Sequence, residues 1–354
     1  MGSINLIKIL IFVIFINSNF TQELLDRLIV PIDYQINFST GYDSNLFLFS
    51  NDFQSNKVVE SQILDDIKFY DSDYYKTNIK LIYSPVISYQ GETNFILKVQ
   101  NKIYRTFHKK NTLSTNLKFE KKFRSYNWLK AGYYFSPHNY LRRYKDLDLH
   151  SEDYFDCTYS NSKLFLSYSF PLTKNTWSRL TWSSSKLYYN KHFTEFDTHT
   201  NNFKWYFSHK LNKKVNYSMN IGYEIGNNIS FEDGLPSTEI NRSYESKFLK
   251  ISRSHYNINS ININKLYVSF STDLRNYISE SLYDPLHNGR YHFDYQLYVS
   301  IRKRIKSSFS TNLFFKFRKR QTISEFEWVQ DLKSFNKFEM GVKFTFNGVY
   351  DIYR

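Results

Sequence analysis

Residues 290–320 read RYHFDYQLYVSIRKRI followed directly by KSSFSTNLFFKFRKR. In the first run Tyr291, Phe293, Tyr295, Leu297, Val299 and Ile301 share one parity, and His292, Asp294, Gln296, Tyr298, Ser300, Arg302 and Arg304 share the other. A helix needs its apolar residues three and four apart, whereas a strand sends successive side chains to opposite faces. The run therefore predicts a strand with one apolar and one polar face. The second run repeats the pattern, with Phe309, Thr311, Leu313, Phe315 and Phe317 against Ser308, Ser310, Asn312, Lys316 and Arg318; Phe314 is the exception. Only the few residues around Lys306 separate the runs, which predicts an antiparallel hairpin with a tight turn.

The composition decides what the two faces touch. Aromatic residues make up 19% of the 354, with 31 Tyr and 33 Phe, yet 23% are charged and the mean hydropathy is negative. A disordered chain lacks such aromatic content. A helical membrane protein shows apolar runs of about eighteen residues or more, and none occurs beyond the N-terminus. A transmembrane β-barrel reconciles the two facts, because only alternate residues face lipid and the average therefore looks soluble. The net charge of +14 does not indicate nucleic-acid binding, since Lys and Arg are spread over alternating strands and turns rather than gathered in a stripe.

The chain begins MGSINLIKILIFVIFINSNFTQE, where Lys8 precedes the short apolar core Ile9 to Ile16 and small or polar residues follow. That is the layout of a secretory signal peptide, assigned to residues 1–21 with cleavage between Ser18 and Gln22, which leaves 22–354 as the barrel. Cys157 is the single cysteine, so no internal disulfide and no Cys-rich metal site is expected, and an inert thiol is the expectation for it.

Along the chain the alternation recurs. It runs first from Ile32 to Tyr42, and then, after a long acidic connection from Ser50 to Tyr74 whose VVESQILDDI is compatible with a short helix, from Lys76 to Tyr89. Pro85 in this second strand suggests a bulge. Strands follow from Thr93 to Phe107, Leu113 to Phe123, Tyr126 to Phe135, Leu164 to Phe170, around Leu180 and Trp182, Phe203 to Phe207, and Val215 to Ile225. The stretch Ser243 to Arg253 has mixed parity; Leu266 to Leu274, the opening hairpin, and Lys337 to Phe346 complete the set. Pro137 to Asp153 reads as a long polar loop, as do Asn190 to Thr200, Asn227 to Arg242 and Ser279 to Gly289. The fold class is an all-β, antiparallel up-and-down barrel of about fourteen strands, within 12–16. Apart from a brief turn at His108, the odd-numbered connections are the longer ones, as in barrels with short periplasmic turns and long extracellular loops. Strands of about ten to sixteen residues exceed the usual length. Trp128, Tyr188, Tyr189, Trp205, Tyr223, Tyr283 and Tyr291 fall at or near strand ends, where aromatic girdles meet the lipid interface.

With the exported N-terminus, GYDSNLF at Gly41 to Phe47 and FEMGVKFTF at Phe338 to Phe346, the chain resembles a bacterial outer-membrane β-barrel protein of porin-like type. A fainter similarity is to the C-terminal barrel of surface lipoprotein assembly modifiers, although the stretch before the first strand leaves no room for their helical-repeat domain. The closing strand resembles the aromatic-rich signal read by the barrel-assembly machinery, but NGVYDIYR follows Phe346. The resemblance implies an outer-membrane location, contact with lipid and lipopolysaccharide, and that machinery as a partner during biogenesis.

Parity assigns Lys80, Lys98, Lys102, Lys118, Arg179, Lys204, Arg275, Arg302, Lys316, Arg318 and Lys343 to the lumen. Rings of basic residues favour anions, so the function expected is a passive channel or uptake porin for small, anionic solutes. Residues at strand ends, Arg318 among them, meet water or headgroups on the plainer reading. No plug domain precedes the first strand, which argues against an energy-coupled receptor. Two alternatives stand beside the channel: a non-enzymatic surface or assembly barrel that binds a partner through its loops, and an outer-membrane enzyme hydrolysing lipid or peptide. For the enzyme, His192, Glu195 and His199 fall in one loop but lack zincin spacing. No catalytic residue, cofactor or metal site is assigned.

Overall fold

The computed structural model describes residues 27–50, 70–87, 91–124, 126–149, 153–258, 262–279, 281 and 284–351. The leader expected at 1–21, Tyr283 and the segment VVESQILDDI lie outside them. Fourteen strands close into one antiparallel barrel in which every strand pairs with its chain neighbours and the last returns to the first. They are β1 (Ile32–Asp43), β2 (Ser72–Tyr83), β3 (Thr93–Tyr104), β4 (Thr112–Phe123), β5 (Asn127–Lys145), β6 (Tyr154–Pro171) and β7 (Thr176–Tyr189) in the first half. The second half comprises β8 (Thr198–Lys210), β9 (Val215–Asn228), β10 (Tyr244–Ile258), β11 (Ile263–Tyr277), β12 (Tyr291–Arg304), β13 (Phe309–Ile323) and β14 (Phe335–Tyr350). A short helix, α1 (Glu327–Lys333), precedes the last strand. Closure pairs β1 with β14 from Ile32↔Tyr350 to Asp43↔Glu339. The sheet thus has no free edge whose backbone groups would be left unpaired in lipid.

The apolar faces point outward. Leu117, Leu164, Phe203, Leu313 and Ile251 are each at least half exposed, while Ser39, Ser167, Ser183, Asn202, Ser246 and Thr345 on the opposite faces are buried. A soluble barrel fills its interior with the large apolar residues instead, so this arrangement needs hydrocarbon outside. No helix among the described residues is long and apolar enough to cross a membrane; the strands supply the crossing. The connections sort by end: 172–175, 211–214 and 305–308 are tight turns, and 229–243, 278–290 and 324–334 are long.

Inward glycines explain features that alternation leaves unexplained. Gly41 and Gly341 lie directly opposite each other on β1 and β14. The Tyr74 ring covers the first and the Phe314 ring the second, so Phe314, off-pattern in the sequence, is a lumen residue seated on a glycine. Gly132 beneath Phe165 and Gly226 beneath Tyr244 repeat the device. A Cβ at Gly41 would stand 2.5 Å from the Met340 carbonyl oxygen and 2.8 Å from the Tyr74 hydroxyl. Gly41→Val should therefore cost about 1–3 kcal/mol by overpacking, read as a lower urea midpoint of the refolded barrel.

Several expectations need correction. The polar loop placed at Pro137 to Asp153 is largely strand, because β5 runs on to Lys145 and only 146–153 connect it to β6. Register shifts between Ser136 and Asn139 and between Tyr140 and Arg143 break the parity there, as bulges do. Pro85 lies beyond the end of β2 at Tyr83 and marks no bulge. The mixed parity of Ser243 to Arg253 is real: β10 places Tyr244 in the lumen, buried, with Glu245, Lys247 and Arg253 exposed on the outside. Trp128 and Tyr189 are not girdle residues. The Lys122 and Lys130 ammonium groups stand 5.7 and 5.5 Å from the Trp128 ring, and Tyr189 stacks on Tyr159 inside the barrel at 5.1 Å.

Candidate functional site in the lumen

Antiparallel register sets the inward side chains in oblique rows. One row reads Gln35, Lys80, Lys98 and Asn116 across β1 to β4; another reads Glu120, Lys130, Ser167, Thr181 and Lys204 across β4 to β8. The two converge on a cavity of about 560 Å³ that Lys80, Lys98, Lys118, Lys130, Arg179 and Lys204 line together with Glu120. Lys98 also borders a second cavity of about 340 Å³, shared with Lys76, Lys316, Lys343 and Glu339.

The carboxylates in this interior are already engaged. Glu120 is bonded to Lys118 and lies 3.3 Å from Lys130. Glu224 accepts from Asn202 at 2.7 Å and from the Tyr244 hydroxyl at 2.9 Å. Asp294 holds Arg318 at 3.2 Å and Arg320 at 2.8 Å. Asp43 and Glu339 share Lys102, at 4.0 and 3.5 Å, and Lys337 lies 2.7 Å from Asp43. Lys102 also rests 3.8 Å from the Tyr74 ring centroid. Arg275 sits 3.9 Å over the Tyr244 ring and faces His292 across the β11–β12 ladder, while Arg302 faces Lys265 and Asn312. Among the described residues, Lys80, Lys98, Arg179, Lys204 and Lys343 make no ion pair. The eleven basic positions expected from parity thus divide: Lys102, Lys118 and Arg318 are paired with carboxylates, Arg275 is packed on an aromatic ring, Arg302 faces Lys265 and Asn312, and Lys80, Lys98, Lys204, Lys316 and Lys343 with Arg179 line the two cavities. Lys76 was missed, although it shares the parity of Lys80.

The long-loop end of the lumen is filled. Leu46, Phe47 and Phe49 pack with Phe107 and Tyr140 onto Tyr74 and Tyr104, with Phe314 against the cluster. Beside it, Phe193 is fully buried among Tyr144 and Phe196, at ring distances of 5.9 and 6.0 Å. Three connections are bonded together here. Asp148 accepts from the Ser237 amide at 2.9 Å and hydroxyl at 2.7 Å, and His192 meets Asp146 at 2.8 Å. Arg242 donates to the carbonyls of Ser237 at 3.0 Å and Ile240 at 3.2 Å and lies 4.9 Å over Phe196. Burial, with the charges of Lys337 and Arg142 nearby, lowers the Lys110 ammonium to about 7. Burial beside Arg142, Arg290 and Arg320 does the same to Lys333.

Glu195 gives this end a pH dependence. Its carboxyl is buried and burial raises it to about 7, against the opposing pull of Arg242. A group that holds its proton more tightly when packed than when exposed stabilises the packed form below its ordinary range and loses that contribution as pH rises toward its raised value. Hydrogen-exchange protection of residues 190–197 should therefore fall between about pH 5 and pH 7, by up to about tenfold per unit, and Glu195→Gln should flatten the profile.

No protein-family model and no curated protein matches the chain. Solved structures do. The outer membrane channel DcaP of Acinetobacter baumannii aligns with a TM-score of 0.50 and 8% identity, covering 90% of this chain and 97% of that one. OmpT, an outer membrane protein of Vibrio cholerae, folded in vitro, aligns at 0.45 and 7%, covering 89% and 97%. OccAB4 of the same Acinetobacter species aligns at 0.45 and 8%, covering 91% and 100%. The chain has the fold of a bacterial outer-membrane β-barrel. At such identity the likeness carries architecture alone.

In this outer-membrane fold the candidate catalytic groups do not assemble. His192 stacks on Phe155 at 4.1 Å, Glu195 is buried next to Arg242, and His199 bonds the Ser184 hydroxyl at 2.7 Å across β7 and β8. That Ser–His contact lies on the outward parity of its strands, and among the described residues no third side chain is bonded to the imidazole to orient it, as nucleophilic catalysis requires.

Proposed function

We propose that this protein is a non-enzymatic, passive outer-membrane channel for small anionic solutes, exported by its leader and inserted by the barrel-assembly machinery among outer-membrane lipid and lipopolysaccharide. The observation that carries the reading is the cavity lined by Lys80, Lys98, Arg179 and Lys204, none of them ion-paired among the described residues. Fixed positive charge in a confined aqueous passage lowers the energy of an anion and raises that of a cation. The six basic side chains that border the cavity outnumber its one carboxylate, Glu120. Reconstituted in planar bilayers under a KCl gradient, the protein should show discrete conductance steps with a reversal potential displaced toward chloride. Well-folded protein without steps, or with potassium selectivity, overturns the reading. The bonded loops that fill the long-loop end favour a second reading, a surface barrel that presents those loops to a partner; capture of an envelope protein by a non-conducting barrel would support it.

A further inference from the structure

We infer that the 560 Å³ cavity is a binding site for an acidic saccharide of two or more rings, whose acid groups engage basic side chains on both sides of the Phe165 ring. The inference rests on the channel reading and specifies its solute.

Three features of the lining lead to it. The first is where the charges fall. Lys80 and Lys98 stand on β2 and β3, and Arg179 and Lys204 on β7 and β8; Lys118 and Lys130 between them are occupied with Glu120. The lining basic side chains without a carboxylate partner are therefore split between two walls. From β3 to β7 is four strand spacings, an arc of about 19 Å, which long basic side chains reaching inward shorten to the span of a two-ring acid. A small monovalent ion would engage one wall only.

The second feature is the floor between the walls. The Phe165 ring lies over Gly132, opposite the short Ser183 on the next strand and beside Ser167 on its own, with Lys163 two residues before it on the same face. A flat aromatic face bordered by small side chains accepts the C–H face of a sugar ring, and aromatic side chains give large contact area at low entropic cost. An open passage tuned only for inorganic ions has no use for such a platform.

The third is the uncharged polar lining. Asn94, Asn116, Asn220 and Tyr206 border the same cavity. Arg179, stacked 4.8 Å over the Tyr206 ring, presents a planar fork suited to a carboxylate or sulfate.

The test uses the full-length barrel in detergent, so that it does not depend on conduction. Calorimetric titration should show a di-uronate disaccharide binding at least tenfold more tightly than glucuronate or inorganic phosphate, and maltose, neutral and of equal size, not binding. Phe165→Ser should weaken the disaccharide about tenfold, and Arg179→Gln should weaken the disaccharide by a larger factor than it weakens glucuronate. Equal affinity for the disaccharide and phosphate, or binding of maltose as tight as the diacid, overturns the saccharide site while the anion-channel reading stands on its own reversal potential. An unselective or silent channel that still binds the disaccharide supports the site and overturns the channel. If Phe165→Ser fails to fold, Thr181→Val, which removes a hydroxyl from the same floor, should give the same direction of loss, and an unchanged affinity counts against the site.

Discussion

Leu297→Arg should leave most of the chain unassembled. Leu297 is the midpoint of β12, a strand of 14 residues, and is 38% exposed on the outward face, directly between Phe270 and Phe317 of the neighbouring strands. A charged residue on the lipid face near the bilayer midplane costs about 2–4 kcal/mol, which corresponds to roughly a thirty- to thousandfold loss in the folding equilibrium. The measurement is the folded fraction by heat-modifiable gel mobility after refolding into vesicles, with the urea midpoint as a second readout. Arg302→Gln, five positions along the same strand but on the inward parity, should refold as wild type. The reverse result, a tolerated arginine at 297 and an unfolded Arg302 variant, would exchange the inside and outside of the barrel.

That the same strand supports both outcomes shows how much of the fold is legible in residue order. β12 and β13 need no tertiary information, because a period of two held through Tyr291–Arg304 admits no helix and the exposed side must be the apolar one once the composition excludes a soluble core. Legibility stops where the strands leave the bilayer. Beyond Phe135 both faces of β5 meet water or packed loops, so alternation has nothing to enforce it, and two bulges shift the register before Lys145. β10 fails for a related reason: it carries Tyr244 and Phe248 into the lumen, where Tyr244 seats on Gly226 and bonds Glu224, so apolar character no longer reports the lipid side. Trp128 was misplaced similarly, since a ring packed against Lys122 and Lys130 has the composition of a girdle residue and the address of a lumen one. Which basic positions are neutralised was not legible, because the partners come from strands distant in sequence: Lys102 meets Glu339, and Lys337 meets Asp43.

That distinction fixes which charges should govern permeation. Lys98→Glu combined with Arg179→Glu changes the charge bordering the cavity by four units, and neither residue is tied to a carboxylate among the described residues. A unit charge about 10 Å from a permeating ion in water contributes about 0.4 kcal/mol, so four units amount to about 1.7 kcal/mol, a change in anion preference of roughly fifteenfold. The reversal potential in a low-salt KCl gradient should move from the chloride side to the potassium side. In about 1 M salt, where the Debye length falls to about 3 Å, most of the shift should vanish, because its source is a field across solvent rather than a contact. Arg318→Gln offers the contrast. Asp294 keeps Arg320 at 2.8 Å, so one unit is lost and the expected change is only about twofold. Should Arg318→Gln move the reversal potential as far as the double reversal, the narrowest part of the path would lie beside Asp294 at the long-loop end, and the lysine-lined cavity would be a vestibule without control of selectivity.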